Sequence, residues 1–127
     1  MTTKYKISID VPDMQAGIDF YSALGFERYL QPVTGYVILK SGEFTLGLLE
    51  KPAGSKPALG SEDVRKYERH WTPVHADFHV QNFEETLEKI ISAGAIVERK
   101  FEAGEHSRLA FCSDPFGNGF CLVEESD

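Results

Sequence analysis

The chain has 127 residues, of which 42% are hydrophobic and 26% are charged, and its mean hydropathy is −0.26. This composition is typical of a globular protein long enough to bury its own core. The net charge of −7 argues against nucleic-acid binding, which calls for a basic surface. No apolar run approaches the roughly 20 residues that span a bilayer, and no charged-then-apolar leader opens the sequence. We therefore expect no nucleic-acid partner and no membrane association.

The first fifty residues have the pattern of a strand, a helix and further strands. Residues 4–11 alternate between polar and apolar side chains, which indicates a half-buried strand. Asp13 is a favourable N-cap, and Gly25 suits the left-handed position that follows a helix. Between these two residues an apolar stripe recurs at helical spacing: Met14, Ile18, Tyr21 and Leu24. Strands are predicted at Glu27–Leu30, Tyr36–Leu39 and Phe44–Glu50, with turns at Gln31–Gly35 and Ser41–Glu43.

The same pattern returns 69 positions later, where Asn82 matches Asp13 and Gly94 matches Gly25. An internal repeat on this scale predicts a duplicated structural unit. The second copy contains an alternating strand, a helix from Phe83 to Ala93 and three more strands. The four strands are predicted at Val74–Val80, Ile96–Phe101, Arg108–Cys112 and Gly119–Glu124. A loop is predicted at Glu102–Ser107 and a turn at Ser113–Gly119.

A linker joins the two copies. Lys51–Gly60 is rich in proline, glycine and lysine, as flexible connections are. Ser61–Asp63 is expected to cap a short charged helix through Val64–Arg69, and His70–Pro73 leads into the second copy. Two interpretations stay open, since the segment either covers the mouth of a cavity or is a solvated connection.

Two motifs carry a resemblance to a known family. The first extends from Val11-Pro12-Asp13 through Phe20-Tyr21 to Leu24-Gly25-Phe26, and the second is Asp114-Pro115-Phe116-Gly117-Asn118 followed by Phe120–Glu124. With the repeat, they resemble the vicinal oxygen chelate (VOC) superfamily, which holds glyoxalase I, extradiol dioxygenases and bleomycin-resistance proteins.

The resemblance implies an α+β fold of two βαβββ modules, the glyoxalase/bleomycin resistance/dihydroxybiphenyl dioxygenase fold, whose curled mixed sheets form a cup. It implies one VOC domain over residues 1–127, with module 1 at about 4–50, the linker at about 51–73 and module 2 at about 74–125. In most members two chains or two halves complete the site, so a homodimer is expected.

The metal-ligand positions that the resemblance implies fall on Lys6, Gly47, His75 and Cys121. A protonated lysine repels a cation and glycine offers no side-chain donor, so two ligands remain where a catalytic zinc generally has three. We therefore expect no metal and no other cofactor. The alternative is a divalent metal held through a shifted register. Its additional donors would come from these residues: Asp77, His79, Glu50, Glu124 and His106.

The polar faces of the two first strands are the expected binding surface. Without the resemblance, Lys6, Ser8 and Asp10, and likewise His75, Asp77 and His79, would be the solvated face of antiparallel strands. In the cup they line a polar pocket, which is the interpretation we favour. Trp71 and Cys121 complete the predicted ligand-binding set. Cys121 and Cys112 are expected to be free thiols of a cytoplasmic protein, and Cys121 a packed residue without nucleophilic function.

Two functions from different classes follow. The first is metal-independent binding or sequestration of a small, cationic and aromatic molecule, as in antibiotic resistance proteins of the bleomycin kind. The second is a VOC-type lyase, isomerase or dioxygenase that uses a rearranged metal site, or acid–base chemistry by His75 and His79. The two are discriminated by whether three donor atoms converge at His75. A noncatalytic scaffold with a filled cup is a third, weaker alternative.

Overall fold

The computed structural model describes residues 1–102 and 108–125, which form two compact units, Met1–Tyr67 and Glu68–Asp127. Each unit contains one βαβββ module. The first consists of β1 (Ile7–Val11), α1 (Met14–Ala23), β2 (Glu27–Val33), β3 (Tyr36–Ser41) and β4 (Phe44–Glu50). The second consists of β5 (Ala76–Val80), α2 (Phe83–Ser92), β6 (Ile96–Glu102), β7 (Arg108–Ser113) and β8 (Gly119–Glu124).

Each unit holds a four-stranded mixed sheet, in the order β1-β4-β3-β2 in the first and β5-β8-β7-β6 in the second. The first strand of each module pairs in parallel with the last, and the other pairs are antiparallel. The predicted fold class, α+β with two βαβββ modules, is confirmed. The assignment of both units to one domain stays a prediction.

The apolar core of each unit lies between its helix and one face of its sheet. Phe20, Tyr21 and Leu48 are fully buried in the first unit, and Phe83 and Leu122 in the second. Because strand side chains alternate between faces, the opposite face of the second sheet carries Asp77, Phe111 and Cys121. Neither helix of the described residues has the length and apolar character needed to cross a bilayer.

The two helices begin differently although their starts match in the repeat. Asp13 caps α1 as predicted, because its Oδ1 accepts a hydrogen bond from the Ala16 amide at 2.9 Å. The Met14 amide donates to Glu50 Oε2 at 2.7 Å. Asn82 makes no side-chain capping bond to α2. Gly25 and Gly94 have φ of 106° and 113°, so both helices end in the left-handed conformation expected of glycine.

Two predictions of local structure are wrong. Residues 64–69 form no helix, because Arg65 is recruited into an extended contact in which its backbone exchanges hydrogen bonds with Gly54 and Ser55. The side chain of Arg65 then reaches Asp10, with Nε 2.7 Å from Oδ2. The predicted turn at Gln31–Gly35 begins too early, since β2 continues to Val33. β2 is an edge strand, where a proline costs no ladder hydrogen bond.

A β-bulge interrupts the second strand of each module at the same point of the repeat. In β2, Tyr29 has no register partner between the pairs Arg28–Leu39 and Leu30–Ile38. In β6, Glu98 lies in the same way between the pairs Val97–Cys112 and Arg99–Phe111. A bulge redirects the side chain that it carries, and in β6 that side chain borders a cavity.

Candidate functional site

A cavity of about 210 Å³ lies within the second unit and is lined by residues of the segment before β5 and of β6, β7 and β8. Its wall combines aromatic rings with a few charged or ionisable groups and two thiols. The aromatic residues are Trp71, Phe111 and Phe120, the polar ones include Arg69, Thr72, His75 and Glu98, and the thiols are Cys112 and Cys121. An apolar wall with few polar groups is the usual character of a small-molecule site.

Two separate parts of the unit contribute Arg69, Trp71 and Glu98 to the cavity wall. The segment 68–72, which we name the strap, precedes β5 and contributes Arg69 and Trp71. The bulge in β6 contributes Glu98, whose Oε2 lies 2.7 Å from Arg69 Nε. Trp71 is 81% exposed, so its ring is available to a ligand at the mouth of the cavity.

A second feature of the second unit is a cluster of possible metal donors. His75, Asp77 and Cys121 each offer one ligand atom, and these atoms all lie within 4.8 Å of one another. His75 Nε2 is 3.2 Å from Asp77 Oδ1, because the two residues are two positions apart and point the same way. Asp77 is the register partner of Cys121 across the parallel pair β5–β8.

The thiols are held in their protonated form. Burial raises the pKa of Cys121 to about 11, and the negative charge and hydrogen bonding of Asp77 add to this effect. Burial likewise raises the pKa of Cys112 to about 11, followed by the charges of Cys121 and Glu98. Because the thiolate is the nucleophile, these shifts support the expectation that Cys121 is a packed residue.

The chemistry of the donor cluster fits one class of metal better than another. Imidazole, carboxylate and thiolate are all zinc ligands, and a set of three leaves one position open. A bound ion would displace the proton that Cys121 carries in the metal-free protein. Manganese and magnesium prefer oxygen donors to thiolate. The cluster of three donors would therefore suit zinc or a similar borderline ion. The predicted set, His75 and Cys121 alone, would offer too few ligands for such an ion.

The equivalent place in the first unit has no such donors. Gly47 pairs with Ser8, and a Cβ on Gly47 would lie 2.8 Å from Ser8 Oγ and 2.9 Å from Tyr36 Cε1. Lys6 is exposed and precedes β1. Within residues 1–67, which are all described, no group of three converging metal donors is found.

The other predicted residues are engaged elsewhere. Asp10 is held by Arg65, so the structure does not present it as an isolated acidic group for a cation. His79 Nδ1 lies 2.7 Å from Glu125 Oε2, and His79 does not line the cavity. Of the remaining donors considered for a shifted register, Glu50 binds the Met14 amide, Glu124 pairs with Arg108, and His106 lies outside the described residues.

The predicted binding set lacks seven residues of the cavity wall: Arg69, Thr72, Glu98, Phe111, Cys112, Gly119 and Phe120. Phe111 could have been found, since strand alternation and a two-strand register place it beside Cys121. Arg69 lies in the predicted helix that does not form. The sequence predicts Glu98 as an ordinary strand residue, because a bulge leaves no reliable mark in a single sequence.

Comparison with known proteins places this geometry in a family. The family profile described as a glyoxalase-like domain matches residues 6–123, whereas no curated protein matches significantly.

Several solved structures share the fold. A hypothetical protein from S. aureus, SA1046, superposes with a TM-score of 0.71 at 21% identity, over 98% of this chain and 99% of that one. A bleomycin-binding protein complexed with bleomycin superposes with a TM-score of 0.60 at 22% identity, over 98% of this chain and 100% of that one. A variant of the fosfomycin resistance protein FosX from Listeria monocytogenes, complexed with Mn(II) and 1S,2S-dihydroxypropylphosphonic acid, gives 0.70 at 15% identity, over 97% and 90%.

The family match covers nearly the whole chain and agrees with the paired βαβββ modules. The chain therefore belongs to the glyoxalase-like family of the vicinal oxygen chelate superfamily.

Proposed function

We propose that this protein binds a small molecule in the cavity of its second unit, with Trp71 and Phe111 as the aromatic contacts. The observation that carries the proposal is the cavity itself, whose wall is largely apolar and ends in a few charged groups. At about 210 Å³ it is smaller than the roughly 300–1,000 Å³ of a typical ligand site. It therefore accommodates one ring system of a ligand, and the remainder extends beyond it.

The proposed ligand has a flat aromatic part and a positive charge. Aromatic side chains supply large contact areas for such rings. Asp77 is 52% exposed next to the cavity, and the chain as a whole carries a net charge of −7, which favours the approach of cations. The bleomycin-binding protein of the same fold makes bleomycin a reasonable first probe.

We also propose that the protein acts in the cytoplasm as a homodimer. Its two cysteines are free and buried, as expected in a reducing compartment. A second copy of the chain would extend a cavity that is small for a complete ligand site. Sedimentation equilibrium would test the dimer independently of any ligand.

Titration with bleomycin tests the binding function. We expect metal-free protein to bind bleomycin, and Trp71→Ala to weaken the affinity about tenfold, since an aromatic contact and its buried area contribute about 1.4 kcal/mol. Isothermal titration calorimetry in the presence of a chelator measures both affinities. Phe44→Ala is the matched control, because Phe44 is 69% exposed in the first unit. Equal binding by wild-type and Trp71→Ala proteins would contradict the proposed site.

A second candidate function is favoured by the donor cluster at His75, Asp77 and Cys121. These residues would hold a zinc-like ion, which when bound would supply Lewis-acid polarisation of a substrate oxygen. His75 and Asp77 are about half exposed, so a substrate can reach them. This candidate corresponds to a lyase, isomerase or dioxygenase of the superfamily.

Cobalt binding separates the second candidate from the first. If the cluster holds a metal, Co(II) should bind stoichiometrically and give a near-ultraviolet thiolate-to-metal absorption band, because Cys121 contributes sulfur. Cys121→Ser should abolish the band, while Cys112→Ser should retain it and serves as the control. A protein that leaves Co(II) unbound, or whose band survives Cys121→Ser, would exclude the cluster and leave the binding function.

A further inference from the structure

The strap is tied to the sheet of the second unit by one arginine. Arg69 Nε donates to Glu98 Oε2 at 2.7 Å, and Arg69 Nη1 donates to the carbonyl of His70. The same guanidinium thus contacts β6 and the strap's own backbone. His70 Nδ1 lies 2.9 Å from the Glu68 carbonyl oxygen, which further fixes the local conformation of the strap.

Two glycines allow the strap to lie close to the β7–β8 hairpin. A Cβ on Gly119 would lie 2.8 Å from Arg69 Nη2 and 2.9 Å from Cζ, so the guanidinium packs directly against the backbone of β8. A Cβ on Gly117 would lie 2.3 Å from the Glu68 carbonyl carbon. A Cβ on Gly117 would clash with backbone atoms, which cannot move aside, whereas a Cβ on Gly119 would displace the flexible guanidinium of Arg69.

The bulge in β6 explains why Glu98 is available to this arginine. Its neighbours Val97 and Arg99 pair with the consecutive residues Cys112 and Phe111 of β7. Glu98 is the extra residue between them and has no partner in the register. The bulge directs the carboxylate of Glu98 toward the cavity wall, where it meets Arg69. Trp71 follows Arg69 by two residues and lines the same cavity.

From these contacts we infer that Arg69, Glu98 and Gly119 are positioning residues that fix the strap and thereby hold the indole of Trp71 at the mouth of the cavity. The inference rests on the proposed function only in its consequence for ligand binding. A pre-positioned aromatic ring costs less entropy when the ligand arrives. The ion pair is 41% and 34% exposed, and exposed pairs add little to global stability. Its effect is therefore local.

Trp71 is the single tryptophan of the chain, so its fluorescence reports on the strap directly. We expect time-resolved anisotropy of the wild-type protein to be dominated by overall tumbling. In Arg69→Met, Glu98→Gln and Gly119→Ala proteins, the amplitude of the nanosecond local component should rise about twofold. The double variant Arg69→Met/Glu98→Gln should resemble either single variant, since the two changes break one contact. Unfolding midpoints of the Arg69 and Glu98 variants should stay near that of the wild type.

Arg99→Met is the matched control. It removes an arginine from the neighbouring position of β6, where the guanidinium lies over the Phe101 ring at 4.3 Å, and should leave the Trp71 anisotropy unchanged. The inference is overturned if Glu98→Gln and Arg69→Met both leave the anisotropy unchanged, or if Arg99→Met raises it equally. Bleomycin affinity is a separate readout, expected to fall about fivefold in Glu98→Gln. A wild-type protein that fails to bind bleomycin would count against the proposed function, while the anisotropy would still decide the role of the ion pair.

Discussion

Asp114→Ala is expected to lower the free energy of unfolding by about 3 kcal/mol, because it removes a buried acceptor from several donors at once. Asp114 is 1% exposed. Its Oδ1 accepts from the amides of Phe116 and Asn118, each at 2.9 Å, and its Oδ2 accepts from Asn118 Nδ2 at 2.9 Å. These bonds close the turn between β7 and β8, and no water replaces a lost carboxylate easily at a buried position. Urea denaturation measures the change.

Two further substitutions calibrate the Asp114 result. Asp114→Asn retains an oxygen that accepts from the backbone amides, but its NH2 group faces the NH2 group of Asn118, so that hydrogen bond is lost. We therefore expect an intermediate decrease of about 1–2 kcal/mol in the free energy of unfolding. Asp63→Ala changes an exposed aspartate and should stay within about 0.5 kcal/mol of the wild type. If Asp114→Ala were no more destabilising than Asp63→Ala, the turn would not depend on this carboxylate.

Gly117→Ala is expected to lower the free energy of unfolding by about 3 kcal/mol, as Asp114→Ala does, because two separate effects add. Gly117 has φ of +90°, and a side chain in the left-handed region costs about 1–2 kcal/mol. Its Cβ would also lie 2.3 Å from the Glu68 carbonyl carbon and 2.5 Å from the oxygen. A clash with backbone cannot be relieved by a rotamer change, and overpacking of this kind costs about 1–3 kcal/mol.

Gly42→Ala separates the two causes. Gly42 also has positive φ, at +60°, but a Cβ there would meet nothing within 4 Å. Gly42→Ala should therefore lower the free energy of unfolding only by the cost of the left-handed backbone conformation, about 1 kcal/mol. The difference between the two variants in urea denaturation measures the contact between the turn and the strap. Equal losses for Gly117→Ala and Gly42→Ala would show that the close contact contributes nothing.

Much of the fold could be predicted because its signals are local. The alternation in residues 4–11, the cap at Asp13 and the glycines Gly25 and Gly94 each follow from the conformational preferences of a few neighbouring residues. The repeat then extended these assignments to the second module. The helix expected at 64–69 does not form because the partners of Arg65 are distant in the sequence: Gly54 and Ser55 bind its backbone, and Asp10, which binds its side chain, lies 55 positions before it. No local pattern contains these contacts.

The candidate site was only partly predictable for the same reason. His75 and Asp77 lie on one face by simple strand periodicity, and Cys121 joins them once the parallel register of β5 and β8 is known. Arg69 and Glu98 meet only because an irregular segment and a bulge converge in three dimensions. Their pairing required the structure.

The bulge that recurs in both modules also bears on how such a chain can change over time. Each module redirects one side chain at the same point, Tyr29 in the first and Glu98 in the second, and the ring of Tyr29 lies under Lys40 at 4.7 Å. The bulge occurs in both modules although the residue at that position is aromatic in the first and acidic in the second. The bulge therefore presents a side chain at the same point of each module, and a substitution at this position can change the chemistry of that point while the strand pairing is kept.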